Sequence, residues 1–170
     1  MVRKIFASLL LLGLIAPVPV LAAQPLVKFK GGIGVDPVSS AQGTLATSAT
    51  VNRNIVRGVQ PPGQLWVIAD LAAEVDNDGA ISVVGRGLLL AGGNNIGNNA
   101  NARVFATLIC EAAAPFIERS TDTAGVALEP NGDFVIDDVI TPATADCASP
   151  VLLIRNAANQ AWFAAGIVKR

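Results

Sequence analysis

The side chains of this chain that could do chemistry are few, because the sequence contains no histidine and no tyrosine. Without imidazole there is no neutral-pH proton shuttle and no nitrogen ligand for zinc or copper, which excludes most hydrolase triads and most transition-metal sites. Carboxylates are the acid/base groups that remain. Asp133, Asp137 and Asp138 form the densest group, and two carboxylates at a fixed separation can hydrolyse a glycoside without histidine. Alternation instead puts Asp133 and Asp137 on the solvent side of a strand whose core side is Phe134, Ile136 and Ile140. Asp138 shares the core phase and reads as a structural aspartate bonded to backbone. Asp76 and Asp78 open like a calcium loop, but Ala80, Ser82 and Val84 follow where further ligands should stand. They fit a hairpin turn better. The sequence therefore offers no catalytic, metal-binding or cofactor-binding residue.

Binding is the alternative to catalysis. The segment from Ala91 to Ala102 concentrates glycine and asparagine, and its Asn95, Asn98 and Asn99 could present amides to a sugar or a partner. The same residues also suit left-handed turns, which is the simpler reading. Trp66 and Trp162 could form an aromatic platform for sugar stacking, or pack half-buried against the apolar face of their own strands.

Two cysteines, Cys110 and Cys147, complete the list. Their compartment follows from the N-terminus, where Arg3 and Lys4 precede an apolar run from Ile5 to Ile15 and Pro17 and Pro19 end it. That is the order of a secretory signal, with cleavage expected after Ala22. Eleven residues are too few to span a hydrocarbon core about 30 Å thick, so no membrane insertion is expected after cleavage. The mature chain, residues 23–170, is expected as one secreted or periplasmic domain in which Cys110 and Cys147 are bonded. Closing that loop would stabilise it by about 4 kcal/mol on the chain-entropy model.

Charge narrows the partners. Removing Arg3 and Lys4 from the 12 basic residues leaves 10 against 13 acidic ones, a net charge of −3 with no basic run. Nucleic-acid binding needs a positive face that releases counterions, and polybasic membrane attachment needs a cluster of lysines or arginines. Neither is present, which leaves an unknown protein or carbohydrate partner.

Short apolar runs separated by Gly, Asn, Asp and Pro clusters predict an all-β fold, a two-sheet sandwich of about eight or nine short antiparallel strands. From Leu65 to Val75 every odd position is apolar, and Ala80 to Ala91 returns in phase after Asp76-Asn77-Asp78-Gly79, so the two read as a hairpin. Further strands are expected at Val27–Lys30, Thr50–Arg57, Arg103–Glu111, Gly125–Glu129, Asp133–Val139, Val151–Arg155 and Ala161–Val168. The expected core contains Val67, Leu71, Leu108, Phe134, Ile136, Leu153 and Phe163.

Two blocks, DGAISVVGRGLLLAGGNNIGNNANARVFATLIC from Asp78 and SPVLLIRNAANQAWFAAGI from Ser149, resemble small secreted microbial proteins and are distantly similar to the CHRD domain, a β-sandwich module of extracellular proteins. In that family a strand opening on Asp-Gly leads to a Gly/Asn-rich loop and an apolar strand. The domain closes on a hairpin ending in a small-Gly-apolar triplet, here Ala165-Gly166-Ile167. The resemblance implies the same sandwich. The family's loop and last hairpin usually carry histidines and this chain has none, so roles resting on them do not carry over.

The expected function is a non-catalytic, exported binding or structural module. A carbohydrate- or surface-binding module using Trp66, Trp162 and the loop 92–102 is the first alternative, and a carboxylate-based hydrolase the second.

Overall fold

The computed structural model describes residues 23–38 and 53–169, which contain β-strands and no helix. The segment read as an export signal, the first part of the strand expected at Thr50–Arg57 and residue 170 lie outside them. In chain order the strands are β1 (Pro25–Gly34), β2 (Trp66–Val67), β3 (Asp70–Asp76), β4 (Ala80–Arg86), β5 (Leu89–Leu90), β6 (Arg103–Ile109), β7 (Arg119–Ser120), β8 (Val126–Ala127), β9 (Phe134–Val139), β10 (Val151–Asn156) and β11 (Trp162–Val168). Nine form one antiparallel sheet in the order β7-β6-β10-β11-β1-β3-β4-β9, with β8 also on β6, while β2 and β5 form a two-stranded ribbon. The sheet curls until its ends meet. Ser120 at the end of β7 and Thr141 just beyond β9 exchange both backbone hydrogen bonds, at 3.1 and 2.9 Å. The layers of this all-β fold are thus opposing parts of one sheet.

Its interior holds Phe29, Leu71, Val83, Leu108, Ile136 and Ile154 among other apolar side chains. Leu71, Leu108, Phe134, Ile136, Leu153 and Phe163 are buried as their phases predict. Val67 is not, with 50% exposure. The alternation read across Leu65–Val75 is interrupted at Ile68 and Ala69, where the chain leaves the ribbon for the large sheet. Trp66 turns inward before that break, so Val67 turns outward and the odd positions regain the core only at Leu71. Ala80–Ala91 breaks likewise at Gly87, whose φ is +64°. Ile81 and Val83 are buried before it, but Leu88 and Leu90 after it, so Leu89 and Ala91 are only half-buried. The hairpin between β3 and β4 forms as read, with Asp78 accepting from the Ala80 N–H through its side chain.

Strand β6 is buried on both faces, from Val104 to Ile109. Its even positions face the interior. The odd positions are covered from outside by segments 53–62 and 111–118, which arginines hold in place. Arg155 lies 5.2 Å from the Phe105 ring centroid and pairs with Glu118 at 2.6 Å. Arg57 donates to the carbonyls of Ile109 and Ser149, at 3.2 and 2.6 Å. Residues 53–57 accordingly carry only isolated bridges, from Arg53 to Val38 and from Val56 to Val59, where a ladder strand was expected. Arg57 stands at φ +48°, which turns the chain back so that its guanidinium reaches β6. Cys110 and Cys147 are bonded, tying the end of β6 to the loop before β10.

Candidate functional site

At one end of the curled sheet the last residues of the Asn-rich loop share a cleft with Trp66. The ribbon crosses β1 so closely that a Cβ on Gly34 would lie 2.1 Å from the Trp66 carbonyl oxygen, so glycine is needed there. Trp66 N–H donates to Val35 O at 3.1 Å, and Val35 N–H in turn to Phe163 O at 3.0 Å. These bonds set the Trp66 ring against Phe163, with centroids 3.9 Å apart and planes 13° from parallel. Both rings line a cleft of about 460 Å³ whose other walls are the loop end at Ala100–Arg103 and the β10–β11 turn at Asn156–Ala158. Ala157 N–H donates to Arg103 O at 2.9 Å, which locks the two walls together.

Trp66 is 4% exposed and Trp162 3%, so neither forms an open stacking platform. They differ in one respect. The Trp162 indole N–H donates to Asn54 O at 3.0 Å, whereas the Trp66 indole N–H has no acceptor among the described residues and is not sealed from solvent.

The amides read as candidate ligand contacts divide by their bonds. Asn99 donates to Leu128 O and Glu129 O at 3.1 and 2.9 Å, and its carbonyl accepts from Asn101 N–H. Asn98 accepts from Ala100 N–H at 2.6 Å. Both are occupied in shaping the loop. Asn95 is exposed at its tip, away from the cleft. The amide in the cleft wall is Asn101, which has no side-chain bond to the protein and follows Ala100 in the left-handed region, at φ +48° and +53°. Two consecutive non-glycine residues in that region are uncommon, and such backbone clusters at ligand sites. Arg103 Nε donates to Ala124 O at 2.8 Å and Nη2 to Gly125 O. Both bonds turn the guanidinium toward the 124–125 segment, beside the second cleft.

The carboxylates lie elsewhere. Asp122, Asp137 and Asp138 line a second cleft of about 300 Å³ at the seam between β8 and β9. Asp138 accepts from the N–H groups of Asp122 and Val139, both at 2.8 Å, and Asp122 from Ala124 N–H at 2.9 Å. Asp133 accepts from Gly87 N–H at 3.0 Å and Asn131 Nδ2 at 3.0 Å, pinning the bend that ends β4. These carboxylates tie loops to strands. Among the described residues, no group of three His, Cys, Asp or Glu side chains could hold a metal ion, and no helix is long and apolar enough to cross a membrane.

Sequence reasoning singled out Trp66 but missed Asn101, whose amide is uncommitted at the cleft, and Arg103, which also lines it. Arg103 was read only as the start of a strand, and nothing in its spacing distinguishes it from other strand-edge arginines. No protein-family model, no curated protein and no solved structure matches the chain, so the similarity to the CHRD domain rests on the quoted residues.

Proposed function

We propose that this protein is an exported, non-catalytic binding module whose ligand seat is the cleft at Trp66. The observation that carries this reading is the stacked Trp66–Phe163 pair in the wall of a cleft whose edge carries the unbonded Asn101 amide. Export is supported by the leader-like N-terminus and by the Cys110–Cys147 bond, which suits an oxidising compartment. The non-catalytic part of the reading rests on the missing histidine and on Asp122, Asp133 and Asp138 being committed to backbone N–H groups.

The test uses the two indole N–H resonances, assigned through Trp66→Phe, which keeps a ring on Phe163 and removes the donor. A panel of neutral, amino and acidic monosaccharides and of blocked dipeptides is titrated into the mature protein. The Trp66 resonance should move and that of Trp162 stay. If no member of the panel moves the Trp66 resonance at millimolar concentration, the cleft is not a ligand seat and the reading fails.

A further inference from the structure

We propose that the free edge of β9 takes up an extended, basic segment of another polypeptide as a short added strand. The site is separate from the Trp66 cleft. Strand β9 pairs with β4 alone. The Ile140 N–H donates to Gly79 O at 2.8 Å, next to the pair Ala80–Val139, so even positions bond to β4 and the backbone groups of Val135 and Asp137 point the other way. On the facing strand Leu128 N–H donates to Ala102 O at 3.0 Å, and the same alternation turns the backbone of Ala127 toward β9. No ladder joins these two edges. The seam between them is pinned at its ends, by Glu129 N–H on Asp133 O at 2.9 Å and by Asp138, whose carboxylate accepts from Val139 N–H and Asp122 N–H. Asp138 thus stands where the carbonyls of a further strand would. The open stretch from Phe134 to Asp137 matches a guest of about four residues, ~13 Å at about 3.3 Å each.

The seam's side chains select the occupant. Two clefts, of about 300 and 510 Å³, share Val126 and open along it. Val104, Val126 and Ile136 give the first an apolar floor, which suits apolar side chains at alternate positions of the guest. Its other positions face outward, where Asp137 and Glu129 are exposed and their carboxylates have no partner among the described residues. Asp122, Asp133 and Asp138 add to the acidic lining, against Arg86. Lysines or arginines at the outward positions meet that charge, so main-chain bonds attach the guest and charge chooses it. A second copy of this chain fits worse, because β9 paired with its own copy brings Asp137 against like charge.

The probe is a blocked pentapeptide of alternating valine and lysine, titrated into the mature protein and followed by backbone amide resonances. Those of Ala127, Val135 and Asp137 should move. The peptide should bind about fivefold more tightly than its valine and glutamine counterpart, the scale of two exposed charge contacts. Salt should shrink that margin. Asp137→Asn combined with Glu129→Gln, both at exposed carboxylates, should remove it without moving the unfolding midpoint. N-methylating the peptide backbone keeps its charge and blocks strand pairing, and should abolish binding. Methylated and unmethylated peptides binding alike, or lysine and glutamine peptides binding alike, overturns the proposal. So do shifts that map away from β8 and β9, and so does the absence of binding at millimolar peptide. Movement of the same resonances with protein concentration alone makes the occupant a second copy and overturns it as well.

Discussion

Gly85→Ala should destabilise this fold only while Phe134 is present. Gly85 and Phe134 are directly opposed on β4 and β9, and a Cβ on Gly85 would lie 2.1 Å from Phe134 Cε1 and 2.2 Å from Cζ. The ring occupies the space that a side chain at position 85 would need, and it is itself 3% exposed. Forcing it aside is overpacking, at about 1–3 kcal/mol. Alanine in a strand recovers ~0.5–1 kcal/mol relative to glycine, so the single substitution should cost about 1–2 kcal/mol. Phe134→Ala should cost about 3–5 kcal/mol through lost transfer energy and the cavity left behind. Once the ring is gone the clash is gone, and Gly85→Ala should stabilise the Phe134→Ala protein by ~0.5–1 kcal/mol. The coupling energy therefore equals the overpacking term, about 1–3 kcal/mol. Urea unfolding followed by circular dichroism, on the four proteins with the disulfide intact, measures it. Effects that add to within ~0.5 kcal/mol would show that the ring does not depend on the glycine.

Denatured, unreduced mature protein should show no free thiol on titration, and reduction of the Cys110–Cys147 bond, with its sequence separation of 37, should lower stability by about 4 kcal/mol on the chain-entropy model; two free thiols would contradict the bond. Glu111 gives a pH prediction: the hydrogen bond from Arg119 Nη2, at 2.8 Å, holds its carboxyl down to about 2 against the opposing effect of burial, with the Ile117 N–H assisting. A depressed carboxyl stabilises the fold fully above its unfolded value and loses that contribution as pH falls toward 2. Glu111→Gln should therefore lower the unfolding midpoint near neutral pH, with the gap to the native protein closing as the acid limb is descended; a gap constant from pH 7 to pH 2 would refute the assignment.

The elements were legible wherever one rule governed a whole run. Strands β9, β10 and β11 alternate or stay apolar over six or seven residues between turn residues, and each was found within a residue of its bounds, whereas the runs read for β3 and β4 each extended five residues too far at the ribbon end. The sequence misled where two short strands shared one apolar run. Leu65–Val75 keeps its odd-position pattern on paper through Ile68 and Ala69, because the residues flanking the break are themselves apolar. Only the pairing shows the change of phase, with Trp66 opposite Leu90 in the ribbon and Leu71 opposite Gly85 in the large sheet. Strand β7, two residues long, has no pattern to read. It is specified by its partners, Thr107 and Leu108, and by the closing bridge from Ser120 to Thr141. The outer layer over β6 was hidden for a related reason. Arg57 and Arg155 look like solvent-facing charges, yet each spans from a strand or covering segment to a carbonyl or a carboxylate far along the chain.

The cleft illustrates a different limit. Residue type drew attention to Trp66 and to the asparagines, but a site depends on which polar groups are left over once the fold has used the rest. Asn98 and Asn99 carry the stronger sequence signal, and both are spent on turning the loop. Asn101, two residues past Asn99, is left unbonded by the conformation those two impose. The two tryptophans are likewise indistinguishable by composition or phase, and they separate only when the carbonyl of Asn54, brought in by the outer segment, satisfies Trp162 and no equivalent group reaches Trp66. Leftover hydrogen-bonding capacity is a property of the completed fold. In a chain without histidine, that remainder, an indole and an amide at one cleft, is the ground on which we propose a ligand seat there.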